Sequence, residues 1–140
     1  MFGYMLPVEE RQRLDPDFAL RCAADLRSVL REMPLRARLL ILHGLLRPEA
    51  ILVGGYAANG HRCCPLTSAV WEATGTEARQ WDSIMTGIRQ LGLGHQHHAF
   101  TCAFDRWAAL NGHSQRDPDG LIVLTPTGRS KLIDLIEHLG

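Results

Sequence analysis

The sequence predicts a single, mostly helical domain of five to six helices with one or two short strands. Apolar residues recur at helical spacing along most of the chain. Proline and glycine residues divide these stretches at regular points. The chain has 140 residues, 46% hydrophobic and 21% charged, which is typical of one globular domain. Within 1–140 we expect a helical pair over 15–47, a helix-turn-helix-like segment over 65–93, and a helix, a strand and a helix over 97–140.

Two helices are predicted in the N-terminal part. Asp15 offers an N-cap and Pro16 follows at the first helical position, so the first helix is expected to run from here to Pro34. A second helix is predicted over Leu35 to Leu46. Because this second helix is apolar on nearly all sides, we expect it to be the buried centre of the core.

The middle of the chain predicts a strand followed by two helices. Ile51 to Tyr56 reads as a short strand that enters a glycine-rich loop. Pro65 opens a third helix that ends at Gly75. Thr76 is expected to cap a fourth helix that Gly92 closes.

The C-terminal part predicts a helix, a strand and a last helix. A histidine cluster after Gly94 leads into the fifth helix, which ends at Asn111 and Gly112. Leu121 to Leu124 reads as a strand after a strong turn signal. Thr125 and Pro126 then predict the start of the last helix.

Composition and charge favour a soluble cytoplasmic protein. Fifteen basic and fifteen acidic residues give a formal charge of zero, so no strong overall field draws the molecule to nucleic acid or anionic membrane. There is no apolar run of membrane-spanning length, so we expect no membrane partner. The first residues lack a basic stretch and a long apolar run, so we expect no secretory leader. Four cysteines, two of them adjacent, do not resemble a disulfide scaffold and favour a reducing cytoplasm.

Residues 35–136 contain segments that resemble a winged helix-turn-helix regulator. Leu66 to Gly75 followed by Thr76 to Leu93 is similar to the paired helices of that family, and Leu35 to Leu46 is similar to the helix before them. Leu121 to Arg129 resembles a wing strand that enters a C-terminal helix. An additional helix between Leu93 and Leu121 departs from the family pattern.

The resemblance implies a winged-helix-like core and a protein of transcription regulation that binds DNA through the second of the paired helices. The residues expected to contact DNA are Thr76, Arg79, Gln80, Ser83 and Arg89. Glu77 and Asp82 share this segment, so its formal charge is zero. The alternative is a small protein-interaction module, an adaptor or inhibitor, whose paired helices do not touch DNA. A homodimer that uses the amphipathic first helix is compatible with both.

Cysteine and histidine residues concentrate in two places. His61, Cys63 and Cys64 lie where the loop meets the third helix, and His98 and Cys102 are four residues apart on the fifth helix. Such a set suits a tetrahedral zinc site or a thiol-responsive switch. The spacing matches no known zinc motif, and buried free cysteines with solvent-facing histidines explain the same residues.

Single residues on the helices have simpler interpretations. The helical period places Asp105 beside His98 and Cys102, away from the apolar stripe of the fifth helix. We assign Cys22 and His43 to the core.

The sequence does not predict an enzyme. The sequence pattern indicates no nucleophile beside a base, no pair of catalytic carboxylates and no phosphate-binding loop. Cys64 precedes Pro65 at a predicted helix N-terminus, where the helix dipole is expected to lower a thiol pKa. This cysteine is the single residue with a physical reason for reactivity.

Overall fold

A computed structural model of the chain describes residues 16–58 and 60–139. This part of the chain forms six helices and a two-stranded antiparallel sheet, which confirms the mostly helical fold class. The helices are α1 (Pro16–Glu32), α2 (Leu35–Leu45), α3 (Pro65–Thr74), α4 (Trp81–Gln90), α5 (His97–Leu110) and α6 (Pro126–Glu137), and the strands β1 (Ser114–Arg116) and β2 (Ile122–Leu124) lie between α5 and α6. The predicted N-cap Asp15 lies outside the described residues.

Helices α1 and α5 pack against each other and form one side of the core. Leu26 and Leu30 of α1 are fully buried, and so are Phe100 and Phe104 of α5. The two phenylalanine rings stack with centroids 5.9 Å apart. Cys22 is 3% exposed on the same face of α1, which confirms its assignment to the core.

Helix α3, and not α2, is the central helix. Its first seven residues, Pro65 to Trp71, are all buried, because α2 packs on one side of it and α4 on another. Local chemistry sets both of its ends as predicted. Pro65 is the first helical residue, and Gly75 ends the helix with a left-handed φ of 73° that favours glycine.

Helix α4 begins at Trp81, five residues later than the predicted cap Thr76. Tertiary hydrogen bonds hold the intervening segment outside the helix. The Trp71 indole nitrogen donates to the carbonyl of Ala78 at 2.8 Å, and the Arg79 guanidinium donates to two carbonyls of the loop that precedes α3. The expectation that Thr76 caps this helix is therefore wrong, since contacts distant in sequence replace the local helical bonds.

The sheet contains one predicted strand and one that sequence patterning does not indicate. β2 matches the predicted strand, whereas β1 is polar and three residues long, and it pairs with β2 through Gln115 and Val123. Part of the predicted strand at Ile51 to Tyr56 lies along the other edge of β2. There Val53 N donates to the Ile122 carbonyl at 3.0 Å, and Leu124 N donates to the Ile51 carbonyl at 2.8 Å.

Helix α6 starts as predicted. The Thr125 hydroxyl accepts a hydrogen bond from Gly128 N at 2.9 Å, and Pro126 is the first helical residue. Arg129 on the next turn donates to the carbonyls of Leu45, Arg47 and Glu49. This side chain therefore fastens α6 to the C-terminal end of α2.

Candidate functional site

The five predicted DNA-contact residues fall into two settings. Ser83 and Arg89 are exposed on α4. Thr76, Arg79 and Gln80 precede the helix, and Gln80 is its N-cap residue with an extended backbone. The structure therefore does not place all five on one helical face.

The exposed residues of α4 are largely polar and carry no net charge. They are Trp81, which is 53% exposed, and five polar residues, Asp82, Ser83, Thr86, Arg89 and Gln90. The one carboxylate and the one guanidinium among them give a formal charge of zero. The polar groups suit base edges, but Arg89 is the single cation of α4 that could neutralise a phosphate.

Arg79 holds protein segments together. Its Nη1 donates to the carbonyls of Ala58, at 2.9 Å, and of Gly60, and its Nη2 donates to Glu77 Oε1 at 3.0 Å. The guanidinium carbon lies 5.5 Å from the Trp71 ring centroid, within the range of a cation–π contact. The Arg79 guanidinium therefore contacts four groups of the protein itself.

The other charges around the link from α3 to α4 are matched with opposite charges. Arg47 lies 3.7 Å from a Glu72 carboxylate oxygen and 3.5 Å from one of Glu77. His61 Nδ1 lies 2.7 Å from the Glu77 carboxylate. The described segment from Thr76 to Arg89 therefore has no basic stripe.

The turn between β1 and β2 adds acidic groups on the sheet side. Arg62 Nη1 donates to Asp117 Oδ2 at 2.9 Å and to Asp119 Oδ2 at 2.8 Å. The Arg62 guanidinium thus binds two carboxylates at the turn of the β1–β2 hairpin, the segment that resembles a wing.

The predicted metal ligands come together only as a pair. His98 Nε2 lies 3.6 Å from Cys102 Sγ, as their spacing on α5 requires, while His61 contacts a carboxylate. Across residues 16–58 and 60–139, no three His, Cys, Asp or Glu side chains are placed to hold a metal ion, and a structural zinc ion takes about four ligands. Zinc at His61, Cys63, Cys64, His98 and Cys102 stays a prediction.

The Cys64 thiol is a buried helix cap. Its Sγ accepts a hydrogen bond from Thr67 N at 3.4 Å, and the residue is 6% exposed. Burial raises its pKa to about 11, although the hydrogen bonds with Thr67 lower it. Burial also raises the pKa of the adjacent Cys63. The expectation that the helix N-terminus activates Cys64 is wrong, because desolvation outweighs the dipole.

Asp105 is buried, contrary to its expected position on an outward side of α5. It is 9% exposed, and its Oδ1 accepts a hydrogen bond from the backbone N–H of Gly54 at 2.9 Å. The loop after Ile51 covers this side of the helix. The helical period places residues on a side but does not reveal that a loop packs there.

Three leucines of α2 and its C-cap residue Leu46 line the outer side of this helix, which is expected from the sequence to be buried. Leu35 is 61% exposed, Leu39 47% and Leu46 68%, and Leu42 is half-buried. The opposite face, with Ala37, Ile41, Gly44 and Leu45, is buried. The expectation of a fully buried α2 is therefore wrong, because an apolar residue on each face does not tell which face the protein covers.

Basic residues flank this leucine face. Arg36 and His43 are exposed on one side of it and Arg38 is half-buried on the other. The assignment of His43 to the core is therefore wrong. The sequence signals this surface only in part. Arg36 and His43 lie on one side of the leucine row, but Arg38 lies closer around the helix to the buried Leu45 than to Leu42. We call Leu35, Leu39, Leu42 and Leu46 the leucine seam.

Comparisons with known proteins add no identification. No protein-family model matches the chain, and no curated protein or solved structure matches it either. Among the described residues, no helix has the length and apolar character needed to span a membrane. A function for the chain has to be argued from its own residues.

Proposed function

We propose that this protein is an interaction module that binds a partner protein through the leucine seam of α2. The observation that carries the proposal is the exposure of Leu35 and Leu39 on α2 and of its C-cap residue Leu46, by 61%, 47% and 68%, along one side of the helix. Single exposed leucines are ordinary on protein surfaces, but a contiguous apolar row marks an interaction site.

The energetics support a docking role for the seam. Covering an exposed leucine is worth on the order of 1–2 kcal/mol, so a row of four supplies a substantial part of a micromolar interaction. The backbone beneath the seam is fixed, since Gly44 lies against α3 and Arg129 of α6 bonds three carbonyls at the end of α2. A rigid face loses little conformational entropy when a partner binds.

The charge distribution favours this proposal over DNA binding. The exposed face of α4 is formally neutral, and Arg79, the first basic residue before it, is bonded within the protein. Most nonspecific DNA affinity comes from cations that neutralise phosphates.

Site-specific photocrosslinking in the native host tests the proposal. A photoreactive amino acid replaces Leu39 in the seam, or Leu20 on α1 as the matched control, since Leu20 is 68% exposed outside the seam. We expect a discrete crosslinked protein from position 39 and none from position 20. Absence of a crosslinked partner at position 39, or the same partners at both positions, contradicts the proposal.

DNA binding through α4 is the second candidate function. The observation that favours it is the order of elements: α2, the segment 51–53 beside β2, α3, α4 and the β1–β2 hairpin follow one another as in a winged helix. Helix α5 stands between α4 and the hairpin as an insertion. Ser83, Thr86 and Arg89 would then face the major groove.

A salt-dependent gel-shift series with genomic fragments tests this candidate. With Arg89 of α4 and the exposed Arg116 of the β1–β2 hairpin as the phosphate contacts, the slope of log K against log salt is expected to be only about −2. Arg89→Ala should weaken binding and reduce this slope, while Arg21→Ala on α1 serves as the control. No retardation at low salt removes DNA binding as a candidate.

A further inference from the structure

We infer that the segment bound by the leucine seam is an amphipathic helix whose apolar row is flanked by acidic residues. This inference rests on the proposed function, because it names the partner for the same face of α2. It follows from the spacing of the seam, the sign of the charges beside it and the width of the apolar face.

The spacing of the seam is that of a coiled coil. Leu35, Leu39, Leu42 and Leu46 are separated by four, three and four residues, which is the alternation of heptad positions d and a. At about 100° per residue, these positions fall within an arc of roughly 60°. A narrow stripe of this kind fits a second helix laid along it.

The flanking positions carry three basic residues and the buried Leu45, and no acidic residue. In the same heptad register, Arg36 and His43 occupy e positions and Arg38 occupies a g position. Helix α2 contains no acidic residue. Since e and g side chains meet the partner's flanks, acidic residues complement this helix and basic residues repel it.

The same charges disfavour a second copy of this chain as the occupant. In an antiparallel pair of α2 helices, Leu39 faces Leu42 of the second copy, and e positions lie beside e positions. Arg36 then lies near His43 of that copy. The closest acidic residues in sequence, Glu32 and Glu49, lie beyond the two ends of α2. A self-pairing would therefore bring basic groups together without acidic partners.

The width of the seam disfavours a lipid surface. Helices that lie in a membrane interface present a broad apolar face, often with tryptophan or phenylalanine anchors. The seam has leucine alone, and the opposite face of α2 is covered by α3 and α6. A single row of leucines is the shape of a helix-binding surface.

Fluorescence anisotropy with designed peptides tests the inference on the full-length protein. Three labelled peptides of about 21 residues, long enough to form a helix, carry leucine at a and d and differ at e and g, with Glu, Gln or Lys. We expect the Glu peptide to bind about tenfold more tightly than the Gln peptide, and the Lys peptide to bind most weakly.

Variants connect the binding to the named residues. Leu39→Ser should weaken binding of the Glu and Gln peptides, and Leu20→Ser should leave it unchanged. The double variant Arg36→Glu, Arg38→Glu should reverse the order, so that the Lys peptide binds most tightly. Arg89→Glu, an exposed charge reversal on α4, should keep the original order. Circular dichroism confirms that each variant retains its helices.

Several outcomes would overturn the inference of an acidic helical partner. They can be told apart from a failure of the proposed protein-binding function. Equal binding of the Glu and Gln peptides, or no binding of any peptide, rejects an acidic helix, while a crosslinked partner at position 39 still supports the interface. A dimer in light scattering that Leu39→Ser converts to a monomer identifies a second copy as the occupant. Seam-dependent co-sedimentation with phosphatidylserine-containing vesicles identifies a lipid surface instead.

Discussion

Gly44 of α2 lies directly against Ser68 of α3. A Cβ atom built on Gly44 would come within 1.8 Å of Ser68 Oγ and 2.8 Å of Ser68 Cβ, closer than real Cβ contacts allow. The absence of a side chain at position 44 lets the two helices approach closely. This contact also directs the opposite face of α2, with its leucine seam, away from the core.

Gly44→Ala is expected to destabilise the protein by about 1–2 kcal/mol. Because the added Cβ would meet both Oγ and Cβ of Ser68, the overpacking cost falls in the upper part of its usual range, about 2–3 kcal/mol. The helix propensity of alanine offsets about 1 kcal/mol of it. The free energy of unfolding in urea measures the change. Gly94→Ala is the control, because the nearest atom to its added Cβ, Arg89 Cγ, is 3.7 Å away. If the Gly44→Ala variant is as stable as the wild type, α2 and α3 can move apart without a loss of folding free energy.

Asp105→Ala is expected to destabilise the protein by about 1–3 kcal/mol, the cost of a buried donor that loses its acceptor. The donor is the Gly54 N–H, 2.9 Å from Asp105 Oδ1 and 51 residues away in sequence. Chemical denaturation measures the loss, and hydrogen exchange at the Gly54 amide reports the local opening. Asp105→Asn keeps an acceptor oxygen and should lose less. Equal losses for the two variants would argue against the role of this hydrogen bond.

Stability is expected to fall as the pH rises above about 9. Cys64 has its pKa raised by burial from the ordinary 9.0 to about 11, so the folded state keeps a proton that the unfolded state releases. This one thiol favours unfolding by about 1.4 kcal/mol per pH unit within the window. Cys63, whose pKa burial also raises, adds to the loss in the same window. Tyr56, whose pKa burial also raises, adds a contribution in the same direction at higher pH.

Urea denaturation at about pH 8 and about pH 10 measures this dependence. Cys64→Ala should reduce the loss of stability between the two conditions. Cys102→Ala, at a half-buried cysteine, is the matched control and should retain the loss. A wild-type stability that stays level across this range would contradict the raised pKa of Cys64.

Arg79→Ala is expected to loosen the loop before α3. The variant loses the hydrogen bonds to the carbonyls of Ala58 and Gly60 and the contact with the Trp71 ring. Faster hydrogen exchange in residues 56–62 is the expected result, with a loss of stability of about 1 kcal/mol. Arg89→Ala, which removes an exposed arginine from α4, should leave the exchange of this loop unchanged. Unaltered exchange in Arg79→Ala would mean that other contacts hold the loop.

The fold class and several helix ends are predictable because local residues determine them. Pro65 and Gly75 begin and end α3, and Thr125 with Pro126 begins α6, each through hydrogen bonds or dihedral angles within a few residues. The start of α4 is not predictable in this way. Its preceding segment is held by Arg79 and Trp71 through bonds to other parts of the chain.

The candidate site is less predictable than the fold. Helical spacing brings His98 and Cys102 together, as local geometry requires. Whether a helix face is covered depends on elements distant in sequence. Asp105 is predicted to face outward and His43 to lie in the core, but Asp105 is buried and His43 is exposed.

The sequence by itself determined that this chain forms helices, where most of them begin and end, and that α2 carries apolar residues on two faces. Tertiary structure alone decided that Gly44 turns one of those faces toward Ser68 and leaves the leucine seam exposed. Helix formation depends on hydrogen bonds and caps between near neighbours, whereas burial depends on which distant helices pack together. The surface that carries the proposed function is therefore a property of the assembled fold.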